Sequence, residues 1–248
     1  MVEGGIQTNI GLQGVCFDCG STLIDPCPSV AQQFVQVANR HGADLTLADV
    51  EPHMTTIDRY YDMEYMKDGS FWASPSRSVK LWYDIYRFMC HLTGALNDVE
   101  GVAHDMFQEY LKPNNWMVYP DVPEALRTLK REGLKLAVVS NWDSGLAALL
   151  RGLGLLPYFD EVVASAAVGY RKPDAAIFDI ACERLALPAA SCVHVGDNVE
   201  ADGDGATAAG LRAVILDRKH KLSADGVVAC AYPVIDSLDQ LPGLICGS

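Results

Sequence analysis

The chain has 248 residues, 50% of them apolar and 21% charged, so it has an ordinary globular composition with room for one large domain or two small ones. Its 19 basic and 32 acidic residues give a formal net charge of −13 at pH 7. Because that charge repels a phosphate backbone, no nucleic acid partner is expected. No apolar run reaches the roughly eighteen residues that a membrane span requires, so no membrane partner is expected either.

Cysteine usage predicts a reduced, cytoplasmic protein. The eight cysteines are too dilute for a disulfide scaffold, and Cys16, Cys182 and Cys192 lie inside apolar runs rather than in the repeated CxxC pairs of zinc sites. The first ten residues contain neither the basic nor the apolar segment of a secretory signal. We therefore expect no zinc site, no disulfide and no secretion.

The first predicted element is a single strand over residues 14–17, followed by about a hundred residues that read as helices. Ser29 is of the residue type that caps helix N-termini, and Val30, Phe34 and Val37 recur at helical spacing. These helices are predicted over residues 29–41, 47–66, 76–92 and 98–111. An all-helical block therefore interrupts an α/β domain just after its first strand.

The chain after residue 120 alternates short apolar runs with amphipathic stretches, which is typical of βαβ units around a parallel sheet. Strands are predicted over residues 134–140, 161–165, 192–196 and 212–217, and helices over residues 121–132, 143–151, 174–186 and 199–209. We expect a doubly wound, Rossmann-like α/β core formed by residues 1–26 and 116–248. A helical cap is expected at residues 27–115.

Polar residues follow the predicted strands, and the carboxyl ends of parallel strands meet at one edge, where ligands bind. The segments at that edge are Asp18-Cys19-Gly20-Ser21-Thr22, Ser140-Asn141, Arg171-Lys172-Pro173-Asp174 and Gly196-Asp197-Asn198-Val199-Glu200-Ala201-Asp202. Asp18, Asp197 and Asp202 would repel one another unless a cation joined them, and Mg²⁺ suits a site with few carboxylates, water and a phosphate. The carboxylate of Asp18 could then attack phosphorus and form an aspartyl-phosphate.

Three other side chains at this edge suit the binding of a phosphoryl group. Ser140 and the backbone amide of Asn141 can donate hydrogen bonds to its oxygens, and Lys172 can neutralise its charge. The sequence therefore predicts a small phosphorylated molecule as the partner. It leaves monomer and homodimer both open.

The four motifs, in this order and over about residues 12–220, resemble the haloacid dehalogenase superfamily, in particular its subfamily I with a helical C1-type cap inserted after the first motif. The resemblance implies a Mg²⁺-dependent hydrolase, most often a phosphatase. It implies that Asp18, Lys172 and Asp197 are catalytic, that Asp18, the carbonyl of Gly20, Asp197 and Asp202 hold the metal, and that Thr22, Ser140, Asn141 and Lys172 hold the phosphoryl group or its loop.

The first motif departs from the Asp-x-Asp-Gly-Thr pattern of the family's phosphatases. There the second Asp protonates the leaving oxygen and later activates water, and Gly20 stands at that position here. The loss of a general acid–base costs on the order of 10²- to 10⁴-fold in rate, most of all for an alkoxide leaving group. A phosphatase with this motif would be slow, selective for good leaving groups or supplied with an acid from elsewhere.

Three alternatives stay open. A carbon–halogen hydrolase also lacks the second Asp, because halide leaves without a proton, but it needs no metal and would not explain the retained Asp197 and Asp202. A phosphonatase would form a Schiff base through a cap lysine. The lysines of the predicted cap are Lys67, Lys80 and Lys112, all of which read as surface residues. A phospho-ligand-binding protein that has lost turnover would also fit Gly20.

Other conspicuous residues have a simpler interpretation as packing. Cys19 and His194 lie beside strand-like runs and are expected in the interior. One aromatic cluster of the helical block consists of Trp72, Trp82, Tyr83, Tyr86 and Phe88. At helical spacing these indicate a cap core, with one or two of them lining a substrate pocket. Substrate choice is therefore expected to depend on residues 27–115.

Overall fold

The computed structural model describes residues 11–220, 222 and 230–246. The strands are β1 (Gly14–Phe17), β2 (Ile24–Pro26), β3 (Trp116–Val118), β4 (Lys135–Ser140), β5 (Glu161–Ala164), β6 (Cys192–Gly196), β7 (Arg212–Leu216) and β8 (Val234–Ile235). The α-helices are α1 (Val30–Arg40), α2 (Leu47–Asp68), α3 (Pro75–Thr93), α4 (Val99–Tyr110), α5 (Val122–Arg131), α6 (Leu146–Gly152), α7 (Ser165–Val168), α8 (Ala175–Leu185), α9 (Gly205–Ala208) and α10 (Leu241–Cys246). Among the described helices, none is both long and apolar enough to cross a membrane.

Six strands form one parallel sheet in the order β5–β4–β1–β6–β7–β8. Successive residues of a strand point to opposite faces, and the apolar core divides accordingly. Val15 and Phe17 pack into one hydrophobic cluster, whereas Cys16 between them packs into the other. Because both faces are covered, the central strands are buried throughout, as is typical of doubly wound sheets. The predicted α/β fold class is confirmed.

Four long helices, α1 to α4, lie between the first and second strands of this sheet in the chain. Ser29 caps α1 as predicted, since its Oγ accepts from the amide of Gln32 while the Gln32 side chain accepts from the amide of Ser29. His41, at the end of α1, bridges to Asp98 and Asp105 of the α4 region at 2.8 and 3.0 Å. The first and last helices of the block are thereby joined.

A two-stranded antiparallel sheet, β2 with β3, stands where the chain enters and leaves the helical block. The sequence analysis did not predict these strands, since three residues are too few to show a period. They flank the segment 27–115 that we assigned to the cap, and its division from the core remains our proposal. Arg218 supports the junction by donating to the carbonyl of Thr22 and to the carboxylate of Asp121.

The helix predicted over residues 199–209 differs from the structure in its first half. Val199–Asp204 is a π-helical turn, and only the segment that follows it, α9, is α-helical. The side chain of Asn198 accepts from the amide of Ala201, and the amide of Asn198 donates to the carboxylate of Asp202. Such wide turns are frequent at functional sites, and this one holds Asp202 at the end of β6.

Candidate active site

The candidate site lies at the carboxyl ends of β4, β1 and β6, which are neighbours in the sheet. Asp18 follows β1 directly, and its backbone amide donates to the carbonyl of Val195 on β6 at 2.9 Å. Ser140 ends β4 and Asp197 follows β6, so the topology brings these three motifs together. Lys172 arrives from the loop between α7 and α8.

A buried ammonium joins two of the carboxylates. Lys172 is only 2% exposed, and its Nζ donates to Asp18 Oδ1 at 2.6 Å and to Asp202 Oδ1 at 2.5 Å. Burial by itself would lower the pKa of Lys172, but the two carboxylates raise that pKa above its ordinary value. The side chain is therefore a permanent cation at physiological pH.

Asp202 is held on every side by the protein. Its Oδ1 accepts from Lys172 and from His194 Nε2 at 2.8 Å, and its Oδ2 accepts from the amide of Asn198 at 3.0 Å. Burial alone would raise the pKa of Asp202, yet the charge of Lys172 and the hydrogen bond from His194 lower it well below its usual range. A Cβ at Gly196 would collide with this carboxyl group, so glycine is required there.

His194 supports the cluster as a neutral imidazole. Its ring is fully buried, and burial lowers the pKa of His194 more than the hydrogen bond to Asp202 raises it. A neutral ring that donates from Nε2 positions Asp202 without adding charge. The interior location expected for this histidine is confirmed, as is that of Cys19, which is fully buried in the core.

Ser140 and Asn141 orient the two residues at the centre of the cluster. Ser140 Oγ donates to Asp18 Oδ1 at 2.9 Å, so this oxygen is held by both Ser140 and Lys172. The Asn141 side chain accepts from the amide of Lys172 at 2.7 Å and donates to its carbonyl at 3.0 Å. Asn141 therefore fixes the backbone that presents the buried ammonium, a role that its sequence position did not indicate.

The charges of the cluster fit a divalent cation. Carboxylate oxygens of Asp18, Asp197 and Asp202 lie within 4.8 Å of one another. Three carboxylates and one ammonium leave two negative charges in this small volume, with His194 neutral. Hard oxygen donors with such an excess are the ligands that Mg²⁺ takes, together with water and phosphate.

Gly20 and Thr22 have different positions in the first motif. Gly20 lines the same cavity as Asp197. Thr22 is fully buried behind the loop, and its Oγ1 has no hydrogen-bond partner among the described residues. It is therefore placed to support the loop rather than to touch a phosphoryl group.

The indole of Trp142 lies close to the position that a side chain at residue 20 would take. A Cβ built on Gly20 would lie 3.3 Å from Trp142 Cζ3, closer than an ordinary van der Waals contact. Trp142 is buried and follows Asn141 directly in the second motif. The sequence analysis did not single it out, although its position next to Asn141 was a usable signal.

Helix α2 of the helical block forms part of the cleft in front of Asp18. The cleft has a volume of about 210 Å³, and Tyr61, Asp62 and Tyr65 line it from α2. Tyr65 OH donates to the carbonyl of Lys172 at 3.3 Å, and the guanidinium of Arg171 lies 4.3 Å from the centre of the Tyr65 ring. These contacts join cap and core beside the cluster, and no local pattern in the sequence marks them.

Removing the buried ammonium should destabilise the protein strongly. For Lys172→Met we expect the free energy of unfolding to fall by about 3–5 kcal/mol, because two buried carboxylates lose their countercharge. Lys130→Met removes an exposed ammonium that pairs with Asp160 at 2.9 Å, and should cost less than about 1 kcal/mol. Urea denaturation of both variants measures the difference. Equal, small losses would contradict the assigned role of Lys172.

Comparison with known proteins places this site in a family. A model described as a hydrolase family, haloacid dehalogenase-like hydrolase, matches residues 12–210. The chain is similar to "Haloacid dehalogenase-like hydrolase domain-containing protein 3" of Danio rerio, with 30% identity over 245 residues, 94% of this chain and 96% of that one. It is also similar to "Ribulose-1,5-bisphosphate 5-phosphatase" of Halopiger xanaduensis, with 37% identity over 133 residues, 51% of this chain and 56% of that one.

Solved structures share the architecture. A HAD-hydrolase from Bacillus subtilis, crystallised with magnesium bound, superimposes with a TM-score of 0.72 at 20% identity, over 95% of this chain and 99% of its own. At that identity the likeness concerns the fold alone. The match of the family model over most of the chain carries more weight, and it agrees with the motifs that meet at the sheet edge. The chain belongs to the haloacid dehalogenase-like hydrolase family and is an enzyme.

Proposed function

We propose that this enzyme is a Mg²⁺-dependent phosphatase that hydrolyses a small phosphorylated metabolite through an aspartyl-phosphate at Asp18. The cluster of Asp18, Asp197 and Asp202, with oxygens within 4.8 Å around the Lys172 ammonium, carries the proposal. Its charge requires a cation, and a phosphate monoester brings the negative oxygens that such a cation binds. The phosphatase name of the Halopiger relative and the magnesium of the Bacillus structure support it. The cytoplasmic location expected from cysteine usage is part of the proposal.

Each residue of the cluster would have its own role in the two steps of the reaction. Lys172 and Ser140 hold the Asp18 carboxylate for in-line attack on phosphorus, and the bond from phosphorus to the leaving oxygen breaks. Water then attacks the phosphorus of the aspartyl-phosphate, which releases inorganic phosphate and restores the carboxylate. Mg²⁺, held by Asp18, the Gly20 carbonyl and Asp197, would supply charge stabilisation to the phosphoryl oxygens. Lys172 would help to neutralise the charge of the phosphoryl group, and Asp202 would steady the ligands of the metal.

Two alternatives have less support from the described residues. A dehalogenase would gain nothing from Asp197 and Asp202 beside the nucleophile, because halide departure requires no metal. The cap lysines Lys67, Lys80 and Lys112 have side chains that are 61%, 73% and 57% exposed, and each pairs with a neighbouring carboxylate. A Schiff-base lysine must be desolvated, so these three do not suit a phosphonatase.

Replacing the nucleophile should abolish turnover without unfolding the protein. For Asp18→Asn we expect at least a 10³-fold loss of phosphate release, because an amide does not attack phosphorus. Release is measured with an activated aryl phosphate, and the melting temperature reports the fold. Asp239→Asn is the matched control, since it makes the same change at an exposed carboxylate. Retained activity in Asp18→Asn would contradict the assignment of the nucleophile.

Removing the metal should stop the reaction reversibly. With EDTA we expect phosphate release to fall to background and excess Mg²⁺ to restore it, because the carboxylates then regain the cation that neutralises them. The melting temperature with EDTA distinguishes metal loss from unfolding. If the protein releases halide from 2-haloacids and EDTA does not reduce that release, the protein is a dehalogenase instead. The absence of any turnover, with binding of inorganic phosphate retained, would indicate a binding protein.

A further inference from the structure

A second, larger cavity adjoins the cleft in front of Asp18. It has a volume of about 520 Å³ and shares Tyr61, Asn141 and Asp197 with the cleft, so one ligand can occupy both. Residues of all four cap helices line it together with residues of the core. If the phosphoryl group lies in the cleft, as the proposed function requires, the organic part of the substrate lies in this cavity.

The wall of the cavity is built of aromatic rings. Seven aromatic residues line it: Tyr61, Trp72, Trp82, Tyr86, Tyr110, Trp116 and Trp142. Tyr110 links the cap to the site, since its ring centre lies 5.1 Å from that of Trp82 and 5.8 Å from that of Trp142, nearly parallel to the latter. Trp142 in turn lies beside Gly20. The row of rings therefore ends beside Gly20, where the leaving group of the substrate would depart.

Four of these rings have polar atoms that are hydrogen-bonded within the wall or buried. The indole nitrogen of Trp72 donates to Tyr61 OH, and that of Trp116 donates to the carbonyl of Tyr110. The indole nitrogen of Trp82 and the hydroxyl of Tyr110 are buried. What the wall offers a ligand is consequently ring faces and edges, which favour a flat apolar group over a polyhydroxylated one.

The charges of the wall exclude a second anionic group. Of the described residues that line the cavity, none is lysine or arginine, while Asp25, Asp58 and Asp197 are all acidic. A second phosphate or a carboxylate would therefore meet no lysine or arginine side chain among the described residues that line the cavity. Ribulose 1,5-bisphosphate, the substrate in the name of the Halopiger relative, carries such a second phosphate and does not suit this cavity.

The chemistry at Gly20 independently favours a phenolic leaving group. Gly20 has no side chain that could protonate the departing oxygen, and the Trp142 indole lies close to the position that a Cβ there would take. A phenol ionises near pKa 10. An aliphatic alcohol is closer to water, with a pKa of about 15.7. A phenolate therefore departs without an acid, whereas an alkoxide does not.

We propose that the substrate is an aryl phosphate, a phosphate monoester of an uncharged phenol whose ring packs against Trp142 and Tyr110. Asp18 attacks phosphorus, the bond from phosphorus to the aryl oxygen breaks, and the bonding electron pair leaves with the phenolate, which takes its proton from water. Water then attacks the phosphorus of the aspartyl-phosphate and releases inorganic phosphate. The absence of an acid at Gly20 and the aromatic cavity would therefore both suit the same substrate.

Four phosphate esters separate the contributions of ring and leaving group. We expect kcat/KM with Mg²⁺ to be highest for 2-naphthyl phosphate, then phenyl phosphate, with benzyl phosphate at least 100-fold below phenyl phosphate because it keeps the ring but leaves as an alkoxide. Glucose 6-phosphate should be lowest. A sugar phosphate hydrolysed as fast as the aryl esters would overturn this inference while leaving the phosphatase proposal intact.

Variants and binding complete the test. Trp142→Leu should raise KM for 2-naphthyl phosphate about tenfold, with inhibition by inorganic phosphate unchanged. Tyr83→Leu, which changes an aromatic residue outside those that line the cavity, should leave KM unchanged.

Calorimetry with Mg²⁺ and the Asp18→Asn variant should show that 2-naphthyl phosphate binds more tightly than glucose 6-phosphate. Equal binding of the two esters would overturn the inference, whether or not any ester is hydrolysed. A lack of hydrolysis of every ester would instead contradict the proposed function.

Discussion

The ammonium of Lys172, buried between the carboxylates of Asp18 and Asp202, is the interaction on which the candidate site depends. One cation connects the ends of two strand motifs, and the side chain of Asn141 holds its backbone in place. A cation in this position reduces the repulsion among three carboxylates without cancelling it. The remaining charge suits the divalent ion of the proposed function, so Lys172 would serve both stability and chemistry.

A sharp change of polarity separates the two parts of the substrate space. The cleft at Asp18 holds Lys172 and Asp202, while most of the side chains that line the adjoining cavity are aromatic or aliphatic, and the two share Tyr61, Asn141 and Asp197. The cap supplies most of the apolar side and is held beside Lys172 by the stacking of Arg171 on Tyr65.

The sequence predicted the core strands well because apolar runs bounded by polar motifs have few alternatives. The strand over residues 192–196 has the observed limits, and Asp18 and Asp202 lie together as the order of the motifs implied. What it did not predict arises from contacts between distant segments. The contact of Tyr65 with Lys172 joins residues 107 positions apart, and the indole beside Gly20 reflects how two loops pack. The hydrophobic periodicity of the sequence carries no information about either of these two contacts.

The central claim is that Asp18 becomes covalently phosphorylated, and a trapping experiment tests it most directly. Enzyme mixed with Mg²⁺ and excess 2-naphthyl phosphate is quenched in acid within the first turnovers, digested and examined by mass spectrometry. We predict a phosphoryl group on the peptide that contains Asp18, removable by hydroxylamine as expected of an acyl phosphate. Turnover under the same conditions with the Asp18 peptide unmodified would contradict the account, because the carboxylate would then not be the nucleophile.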